Sequence, residues 1–127
     1  MAILALALSK QPLMVAGKYH VFVINDLGEN ETLNLHCASK NNDLGTHLIT
    51  FGSNFNWSFN INFSETTLFW CDMNWKSFRM HYDVFEAKRD RSICDAQQRC
   101  YWRVQQDGLY FYDASQDTYE RKDVWQS

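Results

Sequence analysis

Four cysteines are the residues of this 127-residue chain with the clearest chemical options. They are Cys37, Cys71, Cys94 and Cys100. An even number of cysteines in a short chain favours disulfides, and no pair has the Cys-x-x-Cys spacing that structural zinc sites and thiol redox centres use. We therefore predict two disulfides and no metal ion. Three connectivities are open, with a slight preference for Cys37 with Cys100 and Cys71 with Cys94, because each bridge would close a long loop.

The other residues with catalytic potential do not form a known catalytic pattern. The four histidines, at positions 20, 36, 47 and 81, include no His-Glu-x-x-His pair, and the chain has no Gly-x-Ser-x-Gly elbow and no glycine-rich phosphate loop. Asp72 and Asp83 could meet across a hairpin and imitate the carboxylate pair of a glycosidase, but solvated carboxylates are far more common. We predict that the protein is not an enzyme and needs no cofactor.

Three Asn-x-Ser/Thr sequons offer sites for N-glycosylation, at Asn30, Asn56 and Asn62. Residues 1–8 form an apolar run, and residues 15–17 have the small side chains of a signal-peptidase site. We predict that residues 1–17 are a signal peptide or its remnant, although no basic residue precedes the run and residues 10–12 interrupt it. With the paired cysteines, these features predict a secreted, extracellular glycoprotein.

Composition narrows the class of protein. Residues 18–127 hold enough apolar material for one core, and a second domain has no room. The net charge of -3 gives no electrostatic footprint for nucleic acid, and no run of about 18 apolar residues predicts a membrane span. Aromatic residues make up 16% of the chain, which suits sheet faces where rings pack across strands. We expect a single domain that acts as a monomer.

The elements that must position these residues are predicted to be β-strands. In residues 55–63 every odd position is large and apolar and every even position is small and polar, which predicts a half-buried strand. Residues 33–37, 68–75 and 78–84 also alternate, and residues 19–24 are apolar on both faces. Residues 39–45 are predicted to be a polar loop, residues 47–51 to resume the sheet, and Asp107-Gly108 to form a hairpin turn. The pattern predicts an all-β, antiparallel sandwich of seven or eight strands, with a polar C-terminal tail from about residue 113.

Two polar segments between the strands are candidates for recognition, since binding residues often lie on loops of a rigid scaffold. They contain Asn41, Asn42 and Asp43 in the first segment and Lys88, Arg89, Asp90 and Arg91 in the second. Solvated charge is the ordinary explanation of such segments. Trp70 and Tyr101 could contact sugars or proteins, although packing between strands is more common for such rings.

Three stretches together resemble the plant self-incompatibility S1 family, also called the S-protein homologues. They read HCASKNNDLGTH from residue 36, LFWCDMNW from residue 68 and CYWRVQQDGLY from residue 100. The resemblance runs from about residue 19 to residue 112, and the four cysteines fall where that family keeps its own. It implies a small secreted plant β-sandwich with two disulfides and no enzymatic activity.

The resemblance also implies a kind of function. In the best understood member of the family, a stigma protein is the ligand of a pollen membrane receptor, and recognition is attributed to exposed hydrophilic loops that vary between members. We therefore expect a non-enzymatic signalling ligand that binds an unknown cell-surface receptor protein through its loops. An extracellular carbohydrate-binding or cell-wall-associated module that uses exposed Trp and Tyr is the alternative.

Overall fold

Alternating and β-branched residues form nine strands and one short helix in residues 18–127, the part of the chain that the computed structural model describes. The predicted signal peptide at residues 1–17 lies outside the described residues. The elements are β1 Tyr19–Asn25, β2 Leu33–Ser39, β3 Asn42–Ile49, β4 Asn54–Phe59, β5 Leu68–Trp75, β6 Phe78–Glu86, α1 Ala87–Asp90, β7 Arg99–Gln105, β8 Gly108–Asp113 and β9 Thr118–Asp123.

The strands form two sheets around one core. The five-stranded sheet has the order β4-β1-β7-β8-β9 and the four-stranded sheet the order β3-β2-β5-β6. Neighbouring strands run antiparallel except for β1 and β7, which pair in parallel. The prediction of an all-β sandwich held by two disulfides is confirmed, although it has nine strands where seven or eight were predicted and one parallel pair where all were expected to be antiparallel.

Side chains from the inner faces of both sheets fill the core. Trp102 is the largest fully buried residue, and its indole Nε1 donates to the carbonyl of Val84 at 2.9 Å, which links the two sheets. Asn25 is a fully buried polar residue in the same core. Its amide Nδ2 donates to the Ile49 carbonyl at 2.7 Å, and its Oδ1 accepts from the Leu27 backbone at 2.8 Å. The side-chain polar groups of Trp102 and Asn25 therefore both have hydrogen-bond partners in the interior.

The strand predicted over residues 55–63 is shorter than its pattern suggests. Phe55, Trp57 and Phe59 point inward as predicted, but β4 ends at Phe59 and Phe63 is fully exposed at 105%. The reason is local, because the side chain of Asn62 hydrogen-bonds to the backbone ahead of it and bends the chain out of the sheet. Only half of the alternating pattern belongs to a strand.

One strand was predicted too short, and one was not predicted. The segment after β2 is a two-residue turn and β3 begins at Asn42, whereas the sequence predicted a polar loop over residues 39–45 and a strand only over residues 47–51. The predicted polar tail is also wrong, because β9 pairs with β8 and Gln126 exchanges backbone hydrogen bonds with Arg79 of β6. Both strands are edge strands, where charged residues protect against unwanted pairing and hide the apolar pattern of a strand.

The predicted disulfide pairing is wrong as well. The structure pairs Cys37 with Cys71 and Cys94 with Cys100. Cys37 and Cys71 face each other across β2 and β5 in one sheet, whereas Cys100 lies on β7 in the other sheet. Cross-strand register therefore decided the pairing, and the length of the closed loop did not.

Candidate binding cleft

A cleft of about 550 Å³ opens at the end of the sandwich where β4 finishes and β5 begins. One wall is the turn between β2 and β3, and the other is the loop between β4 and β5. The lining residues are Ser39, Lys40, Asn41, Asn42, Phe59, Asn60, Asn62, Thr66, Thr67, Leu68, Phe69 and Trp70. Amide and hydroxyl groups dominate this set, and Lys40 is its only charged side chain.

Asp43 fixes the wall made by the β2–β3 turn. Its carboxylate Oδ1 accepts from the backbone N–H of Gly45 at 2.9 Å and lies 2.6 Å from Nε2 of His36. The Gly45 N–H, and after it the hydrogen bond to His36, hold the pKa of Asp43 below its usual value of 3.8. Asp43 therefore stays ionised and shapes the turn that presents Asn41 and Asn42 to the cleft.

Asn62 organises the opposite wall. Its Oδ1 accepts from the backbone N–H of Thr66 at 2.8 Å, and its Nδ2 donates to the Thr66 hydroxyl at 2.9 Å. The backbone N–H of Asn62 donates to the hydroxyl of Thr67 at 2.7 Å. At the tip, Arg91 donates to the carboxylate of Glu65 at 2.5 Å. The β4–β5 loop is therefore held by its own hydrogen bonds and by the bond between Glu65 and Arg91.

The same loop displays Phe63 to solvent. Phe63 is the most exposed large apolar side chain among residues 18–127. The cleft floor beside the loop is aromatic, with the rings of Phe59 and Phe69 4.7 Å apart and Trp70 half-buried on β5. This end of the molecule therefore combines polar groups, an apolar floor and one projecting ring.

The second predicted recognition segment is mostly helical, and it splits into two roles. Lys88 is exposed, and Arg91 reaches the cleft wall through Glu65. Asp90 is only 1% exposed and accepts from the backbone of Glu86 at 2.8 Å and from Arg89 at 2.6 Å. The prediction that Asp90 contacts a partner is wrong, because its carboxylate is buried and accepts hydrogen bonds from within the protein.

Arg89 also makes hydrogen bonds within the protein that stabilise the fold. Its guanidinium bonds the Asp90 carboxylate and donates to the backbone carbonyl of Asp83 at 2.7 Å. Burial opposes its charge, but the hydrogen bond and charge of Asp90 outweigh burial and raise the pKa of Arg89. The helix joins the cleft through the bond from Ala87 N–H to the Thr67 carbonyl at 3.1 Å. Both predicted segments therefore meet at one end of the sandwich.

The residues weighed for catalysis lie elsewhere. Asp72 pairs with His81 at 2.6 Å across β5 and β6, whereas Asp83 lies opposite Trp70. Within residues 18–127, no group of three or more His, Cys, Asp or Glu side chains could hold a metal ion. In the same range no helix is long and apolar enough to cross a membrane.

Several cleft residues were not predicted from the sequence to be functional. Asn60, Thr66 and Thr67 belong to a run rich in Asn, Ser and Thr, the residue types that bond their own backbone in turns. That composition could have identified the loop. The exposure of Phe63 had no such signal, because its position fits the apolar pattern of the preceding strand.

The chain is similar over most of its length to known plant proteins. The family model of plant self-incompatibility protein S1 matches residues 20–125. Self-incompatibility protein S1 of Papaver rhoeas is 34% identical over 108 residues, which cover 84% of this chain and 72% of that protein. S-protein homolog 74 of Arabidopsis thaliana is 36% identical over 114 residues, with 87% and 73% covered.

A solved structure agrees with the fold. It belongs to the self-incompatibility protein homologues, described as a widespread family of small, highly stable, secreted proteins from plants. The superposition has a TM-score of 0.65 at 20% identity and covers 90% of this chain and 99% of the other. With the two disulfides and the two-sheet architecture, these similarities establish that the chain belongs to the plant self-incompatibility S1 family.

Proposed function

We propose that this protein is a secreted, non-enzymatic signalling ligand that acts as a monomer and binds a cell-surface receptor protein through the cleft end of its sandwich. Family membership supports secretion and a role in cell recognition of the self-incompatibility type. The contact residues on our proposal are Asn41, Asn42, Lys88 and Arg91, together with Phe63, which the sequence had placed in the core.

The presentation of Phe63 is the observation that carries this proposal. A flexible loop would lose conformational entropy on binding, but this loop is already ordered by the bonds of Asn62 and by the ion pair of Glu65 with Arg91. Interfaces take most of their affinity from a few large side chains that enter pockets of the partner. An exposed ring on a rigid loop has the properties of such an anchor.

Binding to plant membranes tests the proposal. Labelled protein would be titrated onto membranes from candidate tissues, with unlabelled protein as competitor. We expect Phe63→Ala to weaken saturable binding by about 2 kcal/mol, or roughly 30-fold. Phe51→Ala is the matched control, because Phe51 is 43% exposed and lies before β4, at the opposite end of the sandwich.

The outcome distinguishes the two ends of the molecule. Loss of binding in Phe51→Ala with normal binding in Phe63→Ala would place the receptor contact at the other end and refute the proposal. Asn42→Ala should weaken binding as well, because its amide lines the cleft beside the anchor loop.

A carbohydrate is the second candidate ligand, and the position of Trp70 favours it. This half-buried ring lies in the cleft among Asn and Thr side chains. The ring can stack on the apolar face of a sugar while the polar side chains bind the sugar hydroxyls. A glycan array would test this alternative. A hit that Trp70→Ala abolishes and Phe63→Ala leaves unchanged would favour sugar binding over receptor binding.

A further inference from the structure

The sequon at Asn56 lies on the outer face of the five-stranded sheet, next to an unusual group of rings. In the pairing of β4 with β1, Asn56 is directly opposite Phe22 and Ser58 is directly opposite His20. The carboxamide Oδ1 of Asn56 accepts a hydrogen bond from Nε2 of His20 at 2.8 Å. Asn56 and Ser58 are both exposed, and the strand places them on the same face.

Three rings form a column beside this sequon. The centroids of His20 and Phe22 are 4.4 Å apart and nearly parallel at 12°, and Phe22 stacks on Tyr101 of β7 at 4.9 Å and 20°. All three rings are half-buried, although they stand on the side of the sheet that faces away from the core. Because the rings cover each other's faces, their edges form an apolar strip at the surface.

We propose that Asn56 carries an N-linked glycan whose first sugar covers this strip at Phe22 and His20. Side chains directly opposite on antiparallel strands have Cβ atoms about 5 Å apart, so a sugar on Asn56 starts within contact distance of the Phe22 ring. Covering the strip removes apolar surface from water, which stabilises the folded state. The inference relies on passage through the secretory pathway, which is part of the proposed function.

The chemistry of attachment is compatible with the folded site. Transfer forms a bond between Nδ2 of Asn56 and C1 of the sugar, breaks the bond from C1 to the lipid-linked pyrophosphate donor of that pathway, and releases one proton from Nδ2. The second Nδ2 hydrogen can still donate to Oδ1 of Asn54, which lies 2.7 Å away. Oδ1 of Asn56 can still accept from His20.

The other two sequons differ in their surroundings. The Asn62 carboxamide, like that of Asn56, bonds through both its oxygen and its nitrogen, but its partner is Thr66 of the same β4–β5 loop and not a ring on a neighbouring strand. Asn30 is exposed in a turn with a φ of 66° and does not lie on a strand. Asn56 is the sequon whose neighbours form an apolar surface for a sugar, and a glycan there covers a sheet face and leaves the cleft end open.

Site mapping tests the attachment. The full chain would be expressed in plant cells behind an added secretion leader, so that a weak signal in residues 1–17 cannot prevent entry into the pathway. Mass spectrometry should find a glycan on Asn56 in the secreted protein, and none in Ser58→Ala, which removes the sequon and keeps the Asn56 carboxamide. An unmodified Asn56 in the secreted wild-type protein would overturn the proposal, whatever the outcome of the receptor experiment.

Thermal unfolding tests the contact with the rings. The melting temperature would be compared between the secreted protein, trimmed to one sugar per site, and the same chain without glycans. In wild type, and in Tyr112→Val on the same sheet face two strands away from β1, we expect the glycan to raise the melting temperature by about 2 to 5 °C. In Phe22→Val most of this gain should disappear. An equal rise in melting temperature on glycosylation of all three proteins would overturn the proposed contact between the sugar and Phe22.

A direct measurement on the wild-type protein does not depend on any variant folding. The rings of His20 and Phe22 should shift the NMR signals of the first sugar on Asn56 upfield, and contacts between sugar and ring protons should appear in nuclear Overhauser spectra. Sugar signals at the positions of a freely mobile glycan would contradict the proposed contact.

Discussion

Cys37 and Cys71 are directly opposite each other on β2 and β5, and their disulfide joins two adjacent strands of one sheet. The bridge spans 34 residues of sequence, whereas Cys94–Cys100 spans 6. In the chain-entropy model the long bridge stabilises the fold by roughly 4 kcal/mol and the short one by roughly 2 kcal/mol. We therefore expect the Cys37→Ala, Cys71→Ala double variant to lose more free energy of unfolding in urea than the Cys94→Ala, Cys100→Ala variant. An equal or larger loss in the second variant would contradict this ranking.

The carboxyl group of Asp43 should titrate below 3.8, because the Gly45 N–H and His36 bond its ionised form. A lowered folded-state pKa stabilises the fold at pH values above 3.8, and this stabilisation is lost as the pH falls through the folded-state pKa. NMR titration of the Asp43 side-chain carbon measures the value. In His36→Gln the pKa should rise and still remain below 3.8, since the Gly45 N–H is the larger cause. A wild-type value at or above 3.8 would refute the proposed bonding.

Asp90 should matter for stability and not for recognition. Asp90→Asn removes the charge that the partly exposed Arg89 pairs with and weakens the acceptor of the Glu86 N–H. We expect a loss of about 2 to 3 kcal/mol in the free energy of unfolding. Asp83→Asn is the matched control, because the Asp83 side chain is exposed, and its effect should stay within about 0.5 kcal/mol. Similar losses in both variants would mean that burial of Asp90 is not the cause.

Two tryptophans of the core should respond differently to replacement by Phe. Within residues 18–127, Nε1 of Trp57 is the only buried side-chain nitrogen or oxygen without a hydrogen-bond partner, whereas Nε1 of Trp102 donates to Val84. Trp57→Phe loses packing but removes an unsatisfied donor, so its net cost should be within about 1 kcal/mol. Trp102→Phe also leaves a carbonyl unpaired and should cost about 2 to 4 kcal/mol. Equal costs in urea denaturation would show that Trp57 has a partner in solution.

Local patterns predicted those strands in which one face is buried. Leu33, Leu35 and Cys37 alternate in the sequence and are buried in β2, and β5 follows the same rule. The β7–β8 hairpin was also predicted, but its two turn residues are Gln106 and Asp107, and Gly108 begins β8 opposite Gln105. Glycine is required at position 108, because φ is +147° there and a side chain would clash with the Asp123 carbonyl. In each case the residues that determine the local structure are close neighbours in sequence.

The parts that could not be predicted depend on residues far apart in sequence. The pairing of Gln126 with Arg79 and the packing of Trp125 on Trp75 place the C-terminal segment on the sandwich, although its own composition is polar. The Cys37–Cys71 disulfide follows from strand register and leaves Cys94 to pair with Cys100, and the spacing of cysteines does not contain that register. At the cleft, the polar lining was partly visible as turn-forming residues, but the outward turn of Phe63 depends on hydrogen bonds made by Asn62.

The parallel pair of β1 and β7 determines the order in which the chain can fold. Val21 of β1 lies beside Cys100 of β7, so the centre of the five-stranded sheet cannot close until nearly the whole chain has been synthesised. Long-range pairing of this kind slows folding. Asn30, Asn56 and Asn62 all lie between these two strands in sequence. In a chain that enters the secretory pathway during synthesis, the three sequons would therefore pass the glycosylating enzyme while the sheet that later surrounds Asn56 is still open.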